Sequence, residues 1–68
     1  MQKLTGGEID TLYKLVNYGP QEDGGLPSKS GMCGLIQKGL AKKDYDNDGP
    51  NFATDKGFTE YEALFNTK

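Results

Sequence analysis

The dipeptide Gly19-Pro20 is the firmest constraint on what this chain can fold into, because nothing helical that begins before it can continue through it. Glycine takes the left-handed position that closes a helix at no steric cost, and proline cannot continue the helix. Upstream, "LTGGEIDTLYKLVNY" carries the matching start signal. Thr5 suits an N-cap, and Glu8 three residues later completes a capping box. Leu4 and Ile9 stand at the two positions of a hydrophobic staple. Ile9, Leu12, Tyr13 and Val16 then recur at helical spacing, with Leu15 flanking them. The spacing predicts a helix over 6–18.

The punctuation continues downstream. "QEDGGLP", residues 21–27, reads as a loop. Ser28 can cap a second helix whose inward face is Met32, Leu35 and Ile36 and which ends at Gly39. Gly31 and Gly34 lie inside it, and each costs about 1 kcal/mol relative to alanine. Either they admit a close neighbour or the first turn is a separate short helix. Leu40 to Tyr45 and Asn51 to Thr54 read as two short strands around the turn "DNDGPN". Pro50, without a donor, belongs at the turn or an edge. Thr54 then caps a third helix, with Asp55 favourable in its first turn. Phe58, Tyr61, Leu64 and Phe65 form its apolar face. The order is helix, helix, hairpin, helix: a mainly α chain with a small β-hairpin, α+β in class.

Length limits what such a chain can do. At 68 residues it is a single domain, 1–68. A chain of this size buries only about 60% of its unfolded surface. It has no histidine, the commonest general base and transition-metal ligand. No nucleophile stands beside a base and no glycine-rich phosphate loop follows a strand, so no enzyme is expected. The one cysteine, Cys33, can form neither an internal disulfide nor a zinc cluster and reads as a small semi-buried side chain. No apolar run approaches the roughly 18 residues that span a bilayer, and there is no signal-peptide core. The expected setting is cytoplasmic, without cofactor or membrane.

The charge is uneven. All eight cations are lysine, and the formal net charge is −2. Lys29, Lys38, Lys42 and Lys43 fall in an acid-free stretch, 26–43, whereas 44–62 holds six acids and only Lys56.

"LIQKGLAKKDYDNDGPNFATDKG" resembles the second half of winged helix-turn-helix domains of the MarR-like type and of small bacterial and phage regulators. In those, a recognition helix ends in Leu-x-x-x-Gly-Leu, here Leu35, Gly39 and Leu40. Basic residues open a strand, here Lys42 and Lys43. A wing with a glycine-rich tip follows, here Asp46 to Pro50. The returning strand ends in Thr-x-x-Gly, here Thr54 and Gly57. The resemblance covers about 28–62 and departs from the pattern between Gly19 and Pro27, where the usual second helix has no room.

The resemblance implies a DNA-binding regulator acting on double-stranded DNA. Ser28, Lys29, Ser30 and Gln37 would meet the major groove, Lys38, Lys42 and Lys43 would neutralise phosphates, and Asn47 and Asn51 at the wing would face the minor groove or backbone. The absence of arginine and the acidic wing run against strong binding. Dimerisation through Tyr61, Leu64 and Phe65 could double the contacts. A second reading uses the same fold as a protein–protein module of a phage type, binding a host enzyme or defence complex. A third is a calcium-binding helix–loop–helix. Asp44, Asp46 and Asp48 fit positions 1, 3 and 5 of an EF-hand loop, whereas Asp55 at position 12 stands in place of the usual glutamate and reaches an ion less well. Phe52 at position 9 has no side-chain ligand oxygen, and Gly39 interrupts the helix that should enter Asp44.

Overall fold

The computed structural model describes residues 3–44 and 49–65. Three helices pack around a short antiparallel hairpin: α1 (Gly6–Tyr18), α2 (Lys29–Gln37), β1 (Ala41–Lys43), β2 (Asn51–Ala53) and α3 (Asp55–Phe65). The chain is thus mainly helical with a two-stranded sheet, as the sequence predicts.

Both ends of α1 form as expected. The Glu8 amide donates to Thr5 Oγ1 at 3.3 Å, and the Thr5 amide donates to Glu8 Oε1 at 2.9 Å. The two bonds satisfy donors that a helix start leaves open. Gly19 closes the helix at φ +83°. The buried face differs from the expected one. It runs through Glu8, Thr11, Leu12 and Leu15, and Tyr13 turns outward. Thr11 can be buried because its hydroxyl donates to Gly7 O at 2.7 Å.

Two tightly packed glycines stand inside α2. A Cβ on Gly31 would collide with the Gly7 carbonyl, and one on Gly34 would collide with the Glu8 carboxylate. These positions let α2 lie directly on the start of α1, which explains why a costly residue stands twice inside a nine-residue helix. The helix is continuous from Lys29, so its first turn is no separate element. Ser28 Oγ caps it by accepting from the Gly31 amide at 3.0 Å. At its other end the Leu40 amide donates to Leu35 O at 2.8 Å and the Gly39 amide to Ile36 O at 3.0 Å. With Gly39 at φ +77°, this is a Schellman ending. Leu40 is thereby driven into the core beside Leu35 and Met32.

Ile36 does not face inward as the spacing predicts; 36% of its surface is exposed. Leu40, delivered by the Schellman turn, fills the core beside α2 instead. The apolar face of α3 is likewise narrower than predicted. Tyr61 and Leu64 pack against the core, while Phe58 and Phe65 are exposed.

The strands are shorter than expected, with Ala41 opposite Ala53, Lys42 opposite Phe52 and Lys43 opposite Asn51. The segment 21–27 is more ordered than its composition suggests. Gln21 pairs with the free edge of β2, its amide donating to Asn51 O at 2.9 Å and its carbonyl accepting from the Asn51 amide at 2.7 Å. A single 3-10 turn, Asp23–Gly25, follows. β2 is therefore flanked on both sides.

The hairpin and α3 join the rest at one junction. Thr54 donates its amide to Leu40 O at 3.0 Å and its hydroxyl to Gly39 O at 2.8 Å, and accepts from the Gly57 amide at 3.1 Å. A Cβ on Gly57 would strike the Leu40 carbonyl. The carbonyls of the turn that follows α2 are thus used to start α3.

Candidate nucleic-acid interface

The outward face of α2 is the centre of the expected site. Lys29, Ser30, Cys33, Ile36 and Gln37 are exposed on it, and the helix contains no acid. Ser28 sits at the edge, its Oγ engaged in the cap and 3.2 Å from Ser30 Oγ. Next to this face lies a cleft of about 240 Å³ between the 3-10 turn, α2 and the hairpin. Leu26 and Met32 supply apolar walls, and Lys29, Lys43, Asp23 and Asn51 supply polar ones.

The four lysines of the basic stretch go to different places. Lys38 turns back onto α1, where its Nζ donates to Lys3 O at 3.0 Å and pairs with Glu8 Oε1 at 2.6 Å. This pair is part of the α1–α2 contact, and the Glu8 residue is only 5% exposed. The Lys38 ammonium first, and the Thr5 amide second, hold the Glu8 carboxyl below its ordinary range. Lys43 lies on the cleft side of the hairpin, pairing with Asp23 Oδ2 at 2.7 Å. Lys42 is exposed, and strand alternation sends it to the opposite face of the ribbon. Lys29 is exposed beside the cleft.

Asn51 departs most from expectation. Expected at an accessible wing tip, it is 2% exposed in β2. Its Nδ2 donates to Gln21 O at 3.0 Å and to Asp23 Oδ1 at 2.8 Å. It is a buried tie between sheet and loop, since pairing with Gln21 brings the 21–25 segment over it. Asn47 lies outside the described residues.

Asp23 and Glu8 are not among the expected site residues, yet each fixes a lysine that is. The Asn51 amide, then the Lys43 ammonium, holds the Asp23 carboxyl below its ordinary range. Glu8 is visible in the sequence as a capping residue, but nothing local marks it as the partner of Lys38, thirty positions away. Asp23 sits in a loop whose composition says only that it turns.

Comparison with family models, with curated proteins and with solved structures finds no match. The site must therefore be read from its own chemistry. Among the described residues, no group of three or more metal-ligating side chains comes together. Asp44 follows a strand and Asp55 opens α3, so the helix that an EF-hand needs ahead of its loop is replaced by β1. Asp46 and Asp48 lie outside the described residues. No described helix is long and apolar enough to cross a membrane.

A second surface lies between α1 and α3. Tyr13, Tyr61 and Phe65 form an aromatic cluster, with centroids 6.2 Å apart for Tyr13–Tyr61, 5.8 Å for Tyr13–Phe65 and 4.6 Å for Tyr61–Phe65. Asn17 Nδ2 donates to the Tyr61 hydroxyl at 2.8 Å. Of the three residues expected at a dimer face, Tyr61 and Leu64 are engaged with the chain's own core, and Phe65 is half exposed.

Proposed function

We propose that the chain is a small winged-helix-type module that binds double-stranded DNA through the outward face of α2, in a regulatory role. One observation carries this reading: α2 exposes Lys29, Ser30 and Gln37 on an acid-free face and runs through Gly39 directly into β1, which carries Lys42 and Lys43. The 3-10 turn at Asp23–Gly25 stands where a longer helix would be in a full helix-turn-helix. In this reading Lys29 and Lys42 supply the principal phosphate contacts. Lys38 supports the site from behind by fixing α2 to α1, and Asn51 fixes the hairpin to the 21–25 segment.

The binding is weak and sensitive to salt, because so few cations face the ligand. Each phosphate neutralised contributes about −0.9 to the slope of log K against log salt. Fluorescence anisotropy on random duplex tests this. Lys29→Ala and Lys42→Ala should each weaken binding and flatten the slope by about 0.9. Absence of binding at about 50 mM salt overturns the reading.

The Tyr13–Tyr61–Phe65 cluster favours one alternative, a protein partner bound through the α1–α3 surface. Exposed clustered aromatics are the side chains that most often anchor such interfaces. That reading predicts no duplex affinity, and a protein partner that Tyr13→Ser no longer binds.

A further inference from the structure

Asp23 is held by groups of the kind that hold a phosphate. One oxygen accepts from Asn51 Nδ2 at 2.8 Å, the other from Lys43 Nζ at 2.7 Å. Lys29 lines the same cleft. Asn51 is buried and fixed by its second bond to Gln21 O, so its amide is a preset donor. Asp23 itself is on a three-residue turn, with its side chain about half exposed at 54%. Lys43 and Asn51 line the same cleft as Asp23, so the donors face a common space. Glu22 lines the adjoining recess with Asp23, Lys43 and Gly49. Asp44 follows Lys43 in sequence. These acids set a negative surround that an incoming anion must overcome.

We propose that Lys29, Lys43 and Asn51 form a phosphate-binding site that Asp23 keeps closed by occupying it with its own carboxylate. Removing the charge of Asp23 opens the site to inorganic phosphate. On the DNA reading above, on which this second part rests, a backbone phosphate competes with Asp23 for Lys43. Asp23 then acts as an internal brake on affinity.

Asp23→Ala is the informative variant. Its methyl removes both carboxylate oxygens, the one on Asn51 Nδ2 and the one on Lys43 Nζ. Thermal midpoints are compared in phosphate and in chloride at matched ionic strength. The general stabilisation by phosphate is common to all variants, so the difference from wild type is what counts. Asp23→Ala should gain an additional rise of about 7 °C when phosphate reaches about five times its Kd. The double variant Asp23→Ala/Lys43→Gln should lose that rise. An Asp23→Ala response no larger than that of wild type overturns the proposal, as does a response that survives in the double variant. On duplex, Asp23→Ala should bind more tightly, with a salt slope steeper by about 0.9. A phosphate response without any duplex binding keeps the anion site and removes the DNA reading. Duplex binding without the phosphate response does the reverse.

Discussion

Glu8 carries three duties in one side chain. It closes the capping box of α1, pairs with Lys38 on α2 and fills the space left by the missing Cβ of Gly34. Only the first is legible in the sequence, because a capping box is a local pattern of four residues. The other two depend on α2 crossing α1, which no short window records. A pH dependence follows. The folded carboxyl titrates below the ordinary value of 4.5 because Lys38 and Thr5 favour its charged form. Its contribution is therefore complete above that ordinary value and is lost as pH falls through the lower folded value. Glu8→Gln keeps an acceptor for Thr5 and loses the ion pair. It should cost about 1–2 kcal/mol at neutral pH, and urea unfolding from pH 7 to 3 should show a shallower loss than wild type. An equally steep loss would place the pH sensitivity elsewhere.

At the scale of elements, helix bounds are read closely from the sequence and faces less so. Thr5, Gly19, Ser28, Gly39 and Thr54 are all boundary residues whose chemistry acts within three or four positions, and each stands where the sequence puts it. Ile36 and Phe58 are placed inward by periodicity alone. Periodicity finds an apolar stripe but not its centre, and the neighbours of α2 and α3 cover only part of each stripe. The order of the 21–25 segment is invisible in the sequence because it comes from pairing with β2, thirty residues away, and not from local preference. Gly57 tests the element junction most directly. It lies in the first turn of α3 against the Leu40 carbonyl. Alanine favours helix more than glycine does, yet Gly57→Ala should destabilise by about 2 kcal/mol or more, since backbone must move to admit the methyl. Chemical denaturation reads this directly, and a stabilised variant would show that the junction yields.

Across the whole molecule, α1 has two working sides. Gly7, Glu8 and Thr11 meet α2 or its cap, and Tyr13 and Asn17 meet α3. The α2 surface and the aromatic cluster are thus carried on different faces of one helix. Tyr13→Ser should lower stability by about 1 kcal/mol, because its ring is partly exposed and its gain comes from two aromatic neighbours. Duplex affinity should stay within about twofold, the scatter expected between independent sites. A larger change in affinity would mean that the two surfaces communicate through α1. The sequence places four lysines in one acid-free run. Their divergence is a property of the assembled chain, because Lys38 and Lys43 are claimed by acids that precede that run.

The junction at Thr54 has a mechanical consequence. Both legs of the hairpin are rooted where α2 ends and α3 begins, through Gly39, Leu40, Thr54 and Gly57. The hairpin is clamped at this root and tied again further out, by the Gln21–Asn51 pairing and the Lys43–Asp23 ion pair. Residues added after Asp44 would fall outside both ties and leave the clamp alone. One residue added between Gly39 and Ala41 would throw Leu40 out of its seat and detach α3 as well. Length variation among chains of this design should therefore gather at the far end of the hairpin.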